Sequence, residues 1–261
     1  MSLIQPSSLH RIEIGQGRVV GSLDQGWQLE VPAVDESAYH NAQICDYDPQ
    51  QADFSLTAPV SLRLAAQFSK PLAEMRGTAG FGFWNHPGVR MGWGKKFQAR
   101  ILPQAIWFFF ASPPSDMPLA MGVPGRGWKA ASFNARSKRF LALAPLAPLG
   151  FLMMRQGTLY RRLWPIGQAA LGVSEALVGL EDETAWHDYR IEWGAGQVDF
   201  YVDGQHLHRS PCEIKAPLGF IAWLDNQYAV VSPQGRFGAG HLAIGSEQSL
   251  SLRDLYLEIP R

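Results

Sequence analysis

Residues 186–204 read Trp186-His187-Asp188-Tyr189-Arg190-Ile191-Glu192-Trp193-Gly194-Ala195-Gly196-Gln197-Val198-Asp199-Phe200-Tyr201-Val202-Asp203-Gly204. In an extended chain successive side chains point to opposite sides. His187, Tyr189, Ile191 and Trp193 therefore share one face, and Trp186, Asp188, Arg190 and Glu192 share the other. An aromatic face packs inward and a charged face meets solvent, so His187 is expected to be a packed histidine rather than a reactive one. From Val198 the chain alternates apolar and polar until it meets Asp203-Gly204, the pattern of a strand running into a hairpin turn.

The same grammar recurs on both sides of this stretch. Strand-like runs punctuated by turns fall at 26–32, 39–47, 60–69, 78–85, 105–112 and 127–134, then at 218–227 and 249–259. Many short strands without alternating helices predict an all-β antiparallel sandwich or jelly roll, a single domain over residues 1–261. The exception is 139–180, rich in Leu, Ala and Met and poor in Val and Ile. It reads as two or three short helices inserted between strands, with Pro165 placed for the first turn of one of them. Its apolar runs are too short and too broken by Pro and Gly to span a bilayer. A flap that packs on the sandwich and completes its core is the preferred reading. The other is an apolar surface flanked by Arg155, Arg161 and Arg162 that meets lipid.

Composition agrees with this architecture. A chain of 261 residues with 46% hydrophobic and 18% charged residues buries a sizeable core, and is neither a disordered chain nor a coiled coil. Lys and Arg balance Asp and Glu at 23 each, without the positive excess of a typical nucleic-acid binder. The balance is uneven along the chain: between Met75 and Ser174 the one acid is Asp116, and the stretch carries a net +12 against −12 elsewhere. If contiguous in space, such a surface favours an anionic ligand, an acidic partner or a membrane surface; if the halves interleave, the charges pair. Cys45 and Cys212 match no metal spacing; a disulfide between them is compatible with the sequence, but two free thiols are expected. No secretory signal is visible in 1–17, so a cytoplasmic location is expected.

The stretch from Trp186 to Gly204 resembles the pair of adjacent strands in concanavalin A-like lectins and glucanases, including family-16 glycoside hydrolases, where an aromatic-rich strand ends in Trp and the next ends in Val-Asp-Gly. The resemblance continues through Trp223-Leu224-Asp225-Asn226-Gln227 and a final strand through Leu255-Tyr256-Leu257. Gly80-Phe81-Gly82-Phe83-Trp84 is similar to the strand that carries a groove-facing Trp in the glucanases. The resemblance implies a jelly roll with a ligand groove on its concave sheet. In family-16 enzymes two carboxylates on one strand, at alternate positions, act as nucleophile and acid/base. The strand at the matching place, Ala105-Ile106-Trp107-Phe108-Phe109-Phe110-Ala111-Ser112, contains no acid, and neither does any residue from Met75 to Ser115. The resemblance therefore implies the fold without the catalytic pair.

The expected groove uses strands 78–85, 105–112 and 218–227. Alternation groups Trp84 with His86, Trp107 with Phe109, and Trp223 with Asp225 and Gln227. The indoles offer flat apolar planes to sugar rings or another amphipathic ligand, and Asp225, Asn226 and Gln227 offer orienting hydrogen bonds. Period two does not say which face is inside. Asn41, Gln43, Asp46 and Tyr47 lie in a β-run that could also face the groove, and the loop through Arg126 and Trp128 offers an anion or sugar contact beside flexible glycines. No metal-ligand spacing, phosphate loop or nucleophile elbow is present, so no cofactor and no metal are expected. The expectation is a binding domain for a carbohydrate or similar amphipathic, possibly anionic, ligand, with no nucleic-acid partner. Two alternatives stand beside it: a divergent glycosidase using loop acids such as Asp116 or the 181–183 cluster, or a lyase on an acidic polysaccharide; and a lipid contact through the basic apolar insertion.

Overall fold

The computed structural model describes residues 2–4, 9–51, 53–85, 102–215 and 217–259, and the strands, numbered along the chain, form two stacked antiparallel sheets and a small hairpin. One sheet runs in the order β13 (Gln205–Cys212), β12 (Gly196–Val202), β11 (His187–Trp193), β6 (Val60–Phe68), β17 (Gln248–Ile259), β4 (Gly26–Val31) and β3 (Arg18–Ser22), with β1 (Ser2–Ile4) also on β17. The other runs β10 (Ser174–Leu177), β9 (Gly127–Asn134), β8 (Gln104–Ala111), β7 (Thr78–Trp84), β14 (Gly219–Asp225), β5 (Asn41–Cys45) and β2 (His10–Ile14). The hairpin is β15 (Gln227–Val231) with β16 (Phe237–His241).

β11 and β12 pair from Tyr189↔Val202 to Trp193↔Val198. Asp203 and Gly204 then turn the chain into β13 with φ of 50° and 75°, the positive values that a two-residue hairpin turn demands. The aromatic face of β11 goes inward as its alternation requires: Tyr189, Ile191 and Trp193 are buried. Tyr189 and Trp193 meet Phe81, Phe83 and Phe108 of the facing sheet, with ring centroids 5.0 Å apart for Phe81–Tyr189, 5.7 Å for Phe83–Trp193 and 4.9 Å for Phe108–Tyr189, and Phe200 of β12 lies 5.4 Å from Phe108. Each such side chain withdrawn from water contributes about 1.5–3 kcal/mol, and the tilted and edge-on geometries suit the ring quadrupoles. His187, at the end of the row, is held between the Asp203 carboxylate and the Asp182 carbonyl, both at 2.7 Å.

The insertion lies between β9 and β10. It comprises α1 (Lys138–Leu143), a 3₁₀ turn at Ala144–Leu146, α2 (Ala147–Met153) and α3 (Gly157–Leu171). Ser137 caps α1 by accepting from the Phe140 amide. Three expectations are corrected here. Pro165 sits inside α3, not in a first turn, because the helix begins eight residues earlier and tolerates one missing donor. Helix does not extend to 180: Gly172, at φ 62°, terminates α3, and Ser174–Leu177 pairs with β9 as an edge strand. Nor do the helices complete the core, since no residue of 138–171 joins the cluster between the sheets. Trp164 instead donates to the Leu119 carbonyl at 2.9 Å, anchoring α3 to the 117–121 loop.

Candidate functional site

Paired residues on neighbouring strands share a face, so the register of the seven-stranded sheet fixes which side chains turn away from the core. Phe81, Phe83, Phe108, Phe110, Phe220 and Ala222 point inward. The alternate residues, Gly80, Gly82 and Trp84 of β7, Trp107 and Phe109 of β8, and Ile221, Trp223 and Asp225 of β14, therefore lie on the outer face. Gly80 lies between Trp223 and Phe109, Gly82 between Ile221 and Trp107, and Trp84 between Gly219 and Ala105. The glycines are what let the rings lie flat. A Cβ on Gly80 would come within 2.8 Å of the Trp223 ring, and one on Gly82 within 2.7 Å of Trp107 Cβ.

Over this bare backbone the aromatic residues converge. Centroids are 5.8 Å apart for Trp84–Trp107, 5.2 Å for Trp107–Trp223 and 5.4 Å for Trp107–Phe109. Trp84 and Trp223 are almost parallel, 8° apart at 6.3 Å. Trp223 and Phe109 are 7% and 8% exposed and form the base of the cluster, with Met117 packed against it. Trp84 and Trp107 are half-buried and keep ring surface in solvent. Trp84 Nε1 donates to Tyr47 Oη at 2.8 Å, so this indole is fixed from the bend that follows β5.

Asp225 closes one end. Its Oδ1 accepts from Thr78 N, Thr78 Oγ1 and Gln227 N at 3.1, 2.8 and 3.0 Å, and its Oδ2 accepts from Tyr39 Oη at 3.1 Å. Trp223 Nε1 donates to the same Thr78 hydroxyl at 3.0 Å, so the carboxylate orients the indole through one intermediary. Burial disfavours the charged form and pushes Asp225 up to about 6 despite those donors. Beside it on β5, Asn41 pairs with Asp225 and Gln43 with Trp223. Among the described residues, Asn41 Oδ1 and Gln43 Nε2 are buried without a hydrogen-bond partner.

The opposite side holds an ion pair. Lys129 Nζ donates to Glu175 Oε1 at 2.9 Å, with side chains 1% and 6% exposed, and the Ala120 amide occupies Glu175 Oε2 at 3.1 Å. Among the described residues, Asp225 and Glu175 are the carboxylates that this sheet's strands present on the outer face. They lie on β14 and β10, four strand spacings apart, roughly 19 Å. Glycosidase pairs need about 5–9.5 Å. Of the loop acids, Asp116 pairs with Arg236 at 3.0 Å, Asp182 accepts from Thr184, Glu183 accepts from the Leu72 amide, and Glu181 is exposed.

Of the residues expected at a site, Trp84, Trp107, Trp223 and Asp225 come together. Trp128 does not: as the second residue of β9 it falls on the inner face, 2% exposed, donating to Tyr189 Oη at 3.2 Å. Arg126 is exposed in the turn before β9, and Gln227 is exposed at the start of β15, where only its backbone amide serves Asp225. Asn226 is structural, accepting from His40 N and donating to the Ala38 and Leu242 carbonyls. His86 lies outside the described residues. Tyr39, Thr78, Lys129 and Glu175 were not anticipated; the Gly-Phe-Gly-Phe alternation of β7 was the one local signal for the glycine floor. Cys45 and Cys212 are free and buried, and burial pushes their thiols up to about 12 and about 11.

No protein-family model matches the chain, and no curated protein matches its sequence. Solved structures do match. A glycoside hydrolase family 16 endo-glucanase from Bacteroides ovatus aligns with 97% of this chain and 94% of its own at 10% identity and a TM-score of 0.50. The catalytic domain of an endo-1,3-β-glucanase (laminarinase) from Thermotoga petrophila RKU-1 aligns with 90% of this chain and 77% of its own at 13% identity and a TM-score of 0.47. The first likeness carries the fold assignment: the chain folds as a jelly-roll β-sandwich like that of this endo-glucanase, the architecture that the motifs around Trp186–Gly204 implied.

Proposed function

We propose that the outer face of the seven-stranded sheet binds a carbohydrate chain without cleaving it. The observation that carries this reading is the cluster of Trp84, Trp107, Phe109 and Trp223 over a glycine floor, with two indoles partly in solvent. Pyranose rings present C–H faces that pack on such planes. The wide separation of Asp225 and Glu175 supports binding over hydrolysis. The fold is also that of an endo-glucanase, which makes β-glucans the first class to try.

Affinity electrophoresis through a panel of soluble polysaccharides that includes β-1,3- and mixed-linkage glucans, with a parallel reducing-end assay, tests the proposal. Retardation by at least one polymer without release of reducing ends is the expected outcome. Failure of every polymer to retard the protein contradicts binding, and release of reducing ends contradicts the non-hydrolytic part.

A further inference from the structure

The helical insertion raises a separate question. Neither α1 nor α2 buries a residue, and α3 buries only Trp164 and Ala170. Short helices are held mainly by packing of an apolar face, and two successive helices here have little inside the chain to pack on. What they present outward is apolar. Leu146, Leu149 and Leu152 recur every three residues along one side, and they and Ile166 are each more than half exposed. On another side of α2, Phe151 meets Phe237 of β16, itself more than half exposed, edge-on at 5.5 Å. None of these residues lines the 1100 Å³ cavity between the start of the insertion and residues 211–215, so they form an outward surface rather than the wall of that cleft.

The charge carried by the insertion itself is of one sign. Residues 138–171 contain Lys138, Arg139, Arg155, Arg161 and Arg162 and no acid, and among the described residues none of the five forms an ion pair. We propose that this leucine-rich, cationic helical surface docks on an anionic lipid bilayer. Exposed leucines on helices that also carry the exposed Arg155, Arg161 and Arg162 match the acyl–headgroup boundary of such a surface. A second copy docking through the same surface would set like charges, Arg155, Arg161 and Arg162, against one another. No helix among the described residues is long and apolar enough to cross a membrane, so the contact is peripheral.

The test uses the full chain with sedimenting unilamellar vesicles of phosphatidylcholine alone or of equal parts phosphatidylcholine and phosphatidylglycerol. The protein sediments with the anionic vesicles at low salt, stays in solution with the neutral ones, and is released as salt rises. Arg161→Gln with Arg162→Gln weakens binding roughly thirtyfold, from about one kcal/mol per charge near an anionic surface. Leu149→Ser with Leu152→Ser abolishes binding while the circular dichroism spectrum and melting temperature hold, since neither leucine is buried. Three results overturn the proposal: no sedimentation with anionic vesicles at low salt, equal binding by the leucine variant, or concentration-dependent self-association that the leucine variant loses.

Discussion

Asp225 sets the polar end of the groove. Its carboxyl sits at about 6 because burial raises it, against about 3.9 in an unfolded chain. Between those values the folded state holds more proton than the unfolded state, so this residue's contribution to stability falls as pH rises from about 4 to about 6 and is flat above. Asp46, raised to about 7 by burial, acts in the same direction. Asp225→Asn keeps an Oδ1 for the Thr78 and Gln227 donors and places an amide opposite Tyr39 Oη. Thermal melts across this pH range should show a smaller decline for the variant than for the parent; parallel curves would mean that the buried charge is not the cause. Gln43→Met removes a donor buried without a hydrogen-bond partner, so the melting temperature should hold or rise; a clear fall would mean that the amide is paired. Trp84, Trp107, Trp223 and Asp225 were legible because the alternation that groups them is local. Tyr39 and Thr78 reach Asp225 from 186 and 147 residues away in sequence, and no local pattern encodes that.

β7 shows what alternation can and cannot say. Gly80-Phe81-Gly82-Phe83-Trp84 declares two faces, one of glycine and one of phenylalanine, but not which is inside. The facing sheet decides it, because Tyr189 and Trp193 fill the space against Phe81 and Phe83. Gly80→Ala would put a methyl group 2.3 Å from the Phe108 carbonyl and 2.8 Å from the Trp223 ring. Chemical denaturation should report a loss of about 1–3 kcal/mol, the usual cost of overpacking; an unchanged midpoint would mean that the floor is looser than its geometry states. The strand at 127–134 was expected, but Trp128 was grouped with the loop through Arg126; its pairing with the inward Phe110 puts it on the core face, which the local sequence does not state. β2, β3 and β13 were not anticipated because edge and near-edge strands carry few buried residues to make a pattern. β10 was hidden in a leucine- and alanine-rich context that favours helix.

At the scale of the molecule, two sheets divide the labour. The eight-stranded sheet backs the core, and the seven-stranded sheet gives one face to that core and carries on the other the aromatic cluster, of which Trp84 and Trp107 are half-buried and Phe109 and Trp223 buried. Charge asymmetry in the sequence resolves in two ways: Lys129 pairs in the groove with Glu175, whereas the five bases of the insertion stay unpaired among the described residues. Arg90, Lys95, Lys96 and Arg100, which belong to the same positive stretch, lie outside the described residues. The fold was readable because hairpin turns and face alternation repeat along the chain. The site was readable only in its aromatic part, because the polar partners are assembled by strand order.

The most direct test of the central claim is isothermal titration of the best-retained glucan fragment into the parent protein, Trp107→Ala and Trp186→Ala. Trp107 belongs to the outer aromatic cluster, whereas Trp186 lies beside the eight-stranded sheet with Arg253 4.3 Å over its ring. Trp107→Ala should lose at least about tenfold in affinity, equivalent to ~1.4 kcal/mol, with the fold intact by circular dichroism, and Trp186→Ala should bind as the parent does. Parent-like affinity in Trp107→Ala, or a loss confined to Trp186→Ala, would contradict the assignment of the ligand to this face.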